Sequence, residues 1–371
     1  MRSKPYLYLL IFFSSFLFLN TFPRAVLNPH FLKNGLNFEA LFLGIFLLFL
    51  SQTILLLFFK NLSAKFAWRL ALIIFIASIL SVVRMESIYQ YFFYSILSGF
   101  LIFLFWVPYN IAHFKLTPKE NTGRSAAIMF SIGPIISILV PPAAGFLAEV
   151  NIDMVWIFTI GFSVLTLLLV NFQTEFKISY SISAALKAVE KVRIFIFLEG
   201  IWGAIVFAVV PVYTLFFINT PLNYGIFLAY LGLISVFANL ILGHISDRKQ
   251  KRAIFLYPVT IFLSIATLLL VFASENLALW IVLTGAIAFV LPAFGTLTLS
   301  LFIDNQNNLE VSFPGRELIL AVGRAIGIGF TFLAFLFKFE ILLYIMLGFV
   351  MLIFPAVLFY RTKISRKFSY L

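Results

Sequence analysis

Twelve apolar runs, separated by short polar stretches, take up most of this 371-residue chain. A helix of about 20 apolar residues is long enough to cross the hydrocarbon core of a bilayer. Lipid offers no hydrogen-bond partner to the backbone, so a run that crosses it must be helical. Hydrophobic residues make up 63% of the chain and charged residues 11%, which excludes an ordinary soluble domain. The sequence therefore predicts an all-α integral membrane protein with twelve transmembrane helices.

The first predicted span follows a short basic start, as a signal peptide does, but no cleavage site with small residues follows it. We therefore interpret it as an uncleaved helix that stays in the mature protein. The twelve predicted spans are residues 6–28, 38–59, 69–84, 88–112, 125–148, 153–172, 194–217, 223–243, 253–273, 277–302, 317–337 and 340–360.

Basic residues are distributed unevenly between alternate loops. Of the 26 Lys and Arg residues, four fall on one set of loops and one, Arg324, falls within a span, which leaves 21 on the other set and the termini. Basic loops remain in the cytoplasm during insertion. We therefore predict a multi-pass protein of the plasma membrane with both termini in the cytoplasm. This topology also accounts for the net charge of +12 without a nucleic-acid partner.

Residues 243–252, between the eighth and ninth predicted spans, read GHISDRKQKR. Four cations and one acid within ten residues are too costly to lie in hydrocarbon, so this stretch is a tight hydrophilic turn. The pattern consists of a glycine, an Asp-Arg pair and a later arginine, at Gly243, Asp247, Arg248 and Arg252. These residues form either a specific loop motif or a solvated basic loop of the kind that any polytopic protein can have.

The chain also repeats itself weakly. Residues 60–69 align without gaps on residues 243–252, and a Gly-Arg pair precedes both the fifth and the eleventh predicted span. Internal repeats of this kind are the basis of many transporter folds. We predict an N-terminal six-helix bundle over residues 1–172, a cytoplasmic linker over 173–193 and a C-terminal bundle over 194–371. The linker is either an amphipathic stretch on the membrane surface or a flexible tether.

Twelve spans, a six-plus-six repeat and the turn at residues 243–252 together resemble the major facilitator superfamily. The resemblance implies two helix bundles that rock around a central cavity, lined mainly by the first, fourth, seventh and tenth spans, so that the substrate reaches each side in turn. The first-half copy of the turn departs from the family pattern, because Lys60 replaces the glycine and Ala64 replaces the acid.

Glu199 is the most conspicuous charge in the predicted seventh span. It lies six residues past Arg193, about 9 Å along the helix, where a carboxylate must be paired, protonated or in contact with water. Trp202 and Tyr213 recur at helical spacing and are predicted to share its face as part of a cavity wall. The alternative is a structural ion pair near the membrane boundary.

Arg324 in the eleventh predicted span is the predicted partner of Glu199. It lies eight residues past Arg316, about 12 Å from the same side of the membrane. The two opposite charges therefore lie at similar depth, and protonation of Glu199 would release Arg324. Glu317 is a competing partner for Arg324, two helical turns earlier.

Three further polar residues are candidates for a substrate site. Asn20 and Arg24 are four residues apart in the first predicted span and would present an amide and a cation on one face to an anionic or hydroxylated substrate. Arg24 extending to the outer interface is the simpler interpretation. Asn110, near the cytoplasmic end of the fourth predicted span, is a candidate for the cavity lining.

The leading functional hypothesis is a secondary transporter that exports small organic molecules, such as drugs or metabolites, in exchange for protons. Export rests on Gly133 and Pro134, which resemble a glycine-proline motif that exporters of this family carry in the fifth span. The alternatives are an uptake carrier for a sugar or an organic anion, a membrane-embedded enzyme and a sensor that has lost transport.

Cysteine is absent, and the three histidines lack the spacing of metal ligands. We therefore expect no cofactor or metal. We also expect the protein to be a monomer in lipid.

Overall fold

The computed structural model describes residues 4–118, 121–246 and 252–364 of the chain, and these are mostly helical. The α-helices are α1 (Lys4–Thr21), α2 (Arg24–Lys33), α3 (Phe38–Phe58), α4 (Ala64–Val82), α5 (Ile88–Lys115), α6 (Thr122–Leu169), α7 (Ile182–Ala188), α8 (Arg193–Ala204), α9 (Val210–Tyr213), α10 (Pro221–Ser246), α11 (Arg252–Leu269), α12 (Leu277–Asp304), α13 (Leu309–Leu336) and α14 (Glu340–Phe359). Two short strands, β1 (Asn61–Ser63) and β2 (Lys177–Ser179), complete the elements discussed below.

Eleven helical stretches of the described residues are long and apolar enough to cross a membrane. One of them, Thr122–Phe172, has 51 residues, more than twice the length that a single crossing needs. The helix breaks at Asn151, whose φ of −160° and ψ of 113° are not helical. The Asn151 side chain accepts a hydrogen bond from the backbone N–H of Asp153 at 2.9 Å and so begins the next helix. This stretch contains the fifth and sixth predicted spans, and the prediction of an all-α membrane fold is confirmed.

Polar side chains define where several spans begin. The side-chain oxygen of Asn37 accepts a hydrogen bond from the backbone of Ala40 at 2.9 Å at the start of α3. Asn276 and Asn308 cap α12 and α13 in the same way. Ser87 and Gln90 form a reciprocal capping box at the start of α5. A single Asn or Ser before an apolar run therefore fixes the first turn of each of these four helices.

The first predicted span is broken. Helix α1 ends at Thr21 and α2 begins at Arg24, with Pro23 between them. Proline donates no backbone hydrogen bond and clashes with the preceding turn, which ends α1 at this point. Asn20 and Arg24 consequently lie on different helices, and the prediction that they share one helical face is wrong.

The linker between the two halves is anchored by backbone hydrogen bonds. Strand β2 pairs antiparallel with β1, with Leu62 opposite Ile178. The Tyr180 hydroxyl donates to the backbone oxygen of Leu56 at 2.8 Å, and burial raises the pKa of this phenol, so it remains a neutral donor. The tether interpretation is therefore wrong. The small sheet is also a feature that the all-α prediction did not include.

The two halves of the molecule contact each other through α6 with α10 and through α3 with α13. At the first contact, a Cβ atom on Gly145 would lie 2.5 Å from the backbone oxygen of Pro221, and one on Gly225 would lie 2.5 Å from that of Pro141. Only glycine permits backbones to approach so closely. Pro141 and Gly145 of the fifth predicted span thus pack directly against Pro221 and Gly225 of α10.

Contacts between the halves close the molecule at both ends. We call the end that carries β1, β2 and α7 the linker face, and there Lys115 of α5 forms a salt bridge with Glu310 of α13. At the opposite face, the rings of Phe38 and Phe216 stack with their centres 3.7 Å apart. The structure therefore represents a conformation in which the halves touch at both faces.

Within the C-terminal half, α8 and α13 cross at a pair of glycines. A Cβ atom on Gly323 would lie 2.8 Å from the backbone oxygen of Phe197 and 2.9 Å from the Cα of Gly200. These neighbours are backbone atoms, which cannot rotate away as a side chain can. This crossing positions the charged residues described below.

Gly323→Leu is expected to destabilise the protein by about 3 kcal/mol or more, because the helices must separate to admit the side chain. Gly161→Leu is the matched control, since nothing lies within 4 Å of a Cβ atom at that exposed position. Thermal unfolding in detergent measures both variants. Equal melting temperatures for the two variants would contradict the close crossing.

Candidate functional site

Four polar residues from three helices meet inside the bundle near the linker face. Arg316 of α13 donates to Glu199 of α8 at 3.0 Å and to its own neighbour Glu317 at 3.2 Å. Asn110 of α5 donates to the same Glu317 carboxylate at 3.4 Å. Arg316, Glu317 and Asn110 are all buried. One guanidinium therefore pairs with two carboxylates, and α5 of the first half contacts this group. We call these four residues the charge cluster.

The predicted pairing of Glu199 with Arg324 is wrong, because Glu199 binds Arg316 instead. The predicted eleventh span began at residue 317, which left Arg316 in a loop outside the membrane. Helix α13 begins eight residues earlier, at Leu309, so Arg316 is a buried residue at the level of Glu199.

Arg324 lies two turns further along α13 and has an aromatic environment. Its guanidinium carbon is 4.5 Å from the centre of the Phe207 ring and 5.3 Å from that of Phe49. Arg324 is half-buried, and no carboxylate of the described residues lies within 4.0 Å of it. Glu317 and Glu199 attract it from a greater distance. The ring faces partly stabilise the cation but do not neutralise it.

Several buried polar atoms of these residues and of Gln52 have no hydrogen-bond partner. They are Asn110 Oδ1, Arg316 Nε, Arg324 Nε and both amide atoms of Gln52, which is fully buried on α3 one turn from Phe49. Each such atom costs about 1–3 kcal/mol. Native proteins contain few of them, and those they retain commonly serve a function. Buried polar atoms without a partner therefore occur on α3, α5 and α13.

Trp202 and Tyr213 form hydrogen bonds with residues outside the charge cluster. The Trp202 indole donates to the Thr267 hydroxyl of α11 at 3.0 Å, and the Tyr213 hydroxyl donates to the backbone oxygen of Ser274 at 2.9 Å. A π-helical turn at Ile205–Val209 inserts a residue between α8 and α9, which rotates Tyr213 relative to Glu199. The predicted face is therefore broken between Glu199 and Tyr213. Trp202 precedes the turn and keeps its helical spacing from Glu199, but its indole bonds to α11 whereas Glu199 pairs with α13.

The other predicted residues lie elsewhere in the fold. Arg24 is exposed and Asn20 is half-buried, each on its own side of the break between α1 and α2. In the turn at residues 243–252, Gly243 belongs to α10 and Arg252 begins α11. Asp247 and Arg248 lie outside the described residues, so the resemblance of this turn to the family pattern stays a prediction.

Sequence reasoning missed Arg316 and Gln52 as site residues. Gln52 is a lone amide in the apolar stretch of residues 38–59, and an amide in lipid requires a partner or a function. That signal was available from the sequence. Arg316 had a weaker signal, since a cation at the end of an apolar run is indistinguishable from a loop residue until the helix start is known.

Comparisons with known proteins identify the fold. A model of the Major Facilitator Superfamily matches residues 6–308 of the chain. Among solved structures, the human organic anion transporter MFSD10 (TETRAN) is similar over 95% of this chain and 97% of its own, with a TM-score of 0.67 and 13% sequence identity. At that identity the similarity establishes the fold alone. A comparison with curated proteins found no match.

Arg316→Met is expected to destabilise the protein by about 3–5 kcal/mol, because it leaves two buried carboxylates without their counter-charge. Adding Glu199→Gln and Glu317→Gln to the same chain removes both uncompensated charges and is expected to restore most of the loss. Thermal unfolding of the single and triple variants measures this difference. If the triple variant is no more stable than Arg316→Met, the carboxylates do not depend on Arg316.

Proposed function

Because the chain belongs to the Major Facilitator Superfamily, we propose that it is a secondary transporter whose substrate is a small organic anion that binds Arg324 between the two halves. The observation that carries this proposal is a cation deep in the membrane with no adjacent carboxylate among the described residues. Alternating access to a site between the halves is the mechanism that the family membership implies.

The depth of Arg324 supports a substrate role. It lies 15 residues after the start of α13 and 12 before its end, or about 22 Å and 18 Å along the helix. Substrate sites of transporters lie near this midplane. An arginine at the centre of a span costs at least about 2.5 kcal/mol, and a bound anion would offset that cost.

The neighbours of Arg324 favour a substrate with an apolar body. Phe49 of the first half and Phe207 of the second pack edge to face with their ring centres 5.5 Å apart, so a ligand at Arg324 that lay against this pair of rings would contact both halves. The buried amide of Gln52, one turn from Phe49, offers an unsatisfied donor and acceptor for a polar substituent. An aromatic or aliphatic carboxylate, sulfonate or phosphate ester fits this environment. The name of MFSD10 agrees with such a substrate class.

The charge cluster supports proton coupling. Glu199 and Glu317 share the single guanidinium of Arg316, so together with Arg324 the group has two negative and two positive charges. Protonation of either carboxylate leaves a net charge of +1, which favours an anion at Arg324. A proton and the anion therefore bind cooperatively and cross in the same direction. With a proton gradient directed inward, the result is uptake.

Export has weaker support. Gly133 and Pro134 suggest it only through family resemblance, and in the fold the backbone oxygen of Pro134 would lie 2.8 Å from a Cβ atom on Gly232 of α10. This contact packs the two halves against each other. We therefore favour proton–anion uptake over the predicted export, and the direction of proton movement distinguishes the two.

Arg324→Gln is expected to lower transport of aromatic carboxylates into proteoliposomes by roughly 10–100-fold, because it removes a charged hydrogen-bond donor worth about 1.5–3 kcal/mol. Arg324→Lys retains the charge and should keep part of the activity. Arg84→Gln, an exposed position at the opposite face, is the matched control. Normal anion transport by a folded Arg324→Gln variant would contradict the proposed site.

Glu199→Gln is expected to abolish the acceleration of anion uptake by an acidic exterior, because the amide that replaces the carboxylate cannot take up a proton. Glu317→Gln should act in the same direction, and Glu86→Gln, exposed in the α4–α5 loop, should have no effect. Uptake at a series of external pH values measures the coupling. An unchanged pH profile in both cluster variants would exclude these carboxylates from it.

A further inference from the structure

A long apolar groove follows the contact between α3 and α13 on the outside of the bundle. It consists of two cavities of about 510 Å³ and 490 Å³, and both are lined by Thr53 of α3 and Val322 of α13. The first cavity extends to α7 and α8 at the linker face, where it is lined by Leu186 and Ile194. The second extends away from that face as far as Leu333. We call the two together the seam groove.

The seam groove is long enough for an acyl chain. Leu318 in the first cavity and Leu333 in the second are 15 residues apart on α13, which is about 22 Å along the helix. One leaflet contributes about 15 Å to the hydrocarbon core. An acyl chain that enters at the linker face therefore remains in contact with the groove through the whole depth of its leaflet.

The mouth of the seam groove is basic. Arg193 and Arg361 line it together with a single acid, Glu190. Arg361 is held in place by a hydrogen bond from its Nη1 to the backbone oxygen of Lys191 and by the ring of Phe195, 5.6 Å from its guanidinium carbon. Arg193 is exposed and begins α8, whose first turn has no side-chain cap. Two guanidinium groups and a helix N-terminus thus lie together at this end of the groove.

We propose that the seam groove binds an anionic phospholipid of the leaflet at the linker face, with its phosphate at Arg193 and Arg361 and one acyl chain along α3 and α13. Basic pockets between transmembrane helices favour anionic headgroups over zwitterionic ones. Arg324 does not line either cavity, so this site is separate from the proposed transport site and does not depend on it.

Because of where the groove lies, a bound lipid affects the conformation of the protein. Its walls come from α3 of the first half, from α8 and α13 of the second, and from the linker helix α7. A ligand that contacts all of them stabilises the arrangement in which the halves are closed together. The lipid therefore favours this closed form over forms in which α3 and α13 separate.

The test is thermal unfolding of the delipidated full-length protein with phosphatidylglycerol, phosphatidylcholine or inorganic phosphate. Phosphatidylglycerol is expected to raise the melting midpoint by roughly 2–5 °C, and the other two by less than about 1 °C. Arg193→Gln is expected to remove most of the shift, and Leu57→Trp, which fills the groove near its mouth, should do the same. Arg84→Gln, at the opposite face, should retain it.

Native mass spectrometry of the wild-type protein provides a second measurement that does not depend on variants, and it should show phosphatidylglycerol retained in preference to phosphatidylcholine. Equal shifts with both lipids would overturn the assignment of the headgroup. A shift with phosphate alone that matches phosphatidylglycerol would indicate an ion site without a lipid. An undiminished shift in folded Arg193→Gln and Leu57→Trp would place the lipid elsewhere.

Discussion

A single guanidinium between two carboxylates is the interaction on which the interior of this protein depends. Arg316 pairs with both Glu199 and Glu317 where α5, α8 and α13 meet, and Asn110 adds a contact from the other half. Charges inside a membrane are tolerated only when they are paired or in contact with water. The same cluster therefore holds the second half together and links it to the first. Any change in its protonation alters both the local charge and the contact between the halves.

The contacts between the halves explain how a change in the protonation of the charge cluster can move the two halves relative to each other. The halves pack through glycines on α6 and α10, where backbones touch and shape is rigid, and through polar and aromatic pairs at the two faces, which can separate individually. Asn110 and Lys115 connect α5 to α13 at the linker face. A proton on Glu317 would weaken one of these contacts, and an anion at Arg324 would attract both halves. In the proposed mechanism, the substrate and the proton thus act on the same interface.

Much of this architecture follows from the sequence, and the parts that do not have identifiable causes. Apolar runs of span length, with Asn or Ser before several of them, locate the helices, because lipid leaves the backbone no alternative. Side-chain pairing across helices requires their relative depth, and an error of eight residues in the start of α13 was enough to assign Glu199 to Arg324 instead of Arg316. The π-helical turn after α8 and the three-residue strands have no signature in hydropathy, so the orientation of Tyr213 and the anchoring of the linker were not predictable.

The central claim is that Arg324 selects a negatively charged substrate. Thermal unfolding of the purified full-length protein with matched pairs of ligands, each an aromatic carboxylate and its neutral amide, tests it most directly, because a ligand that binds the folded state raises the melting temperature. The two members of a pair have nearly the same size and apolar surface, so charge is the main difference between them. The account predicts stabilisation by at least one carboxylate and none by its amide. Stabilisation by amides that equals or exceeds that of their carboxylates would contradict it.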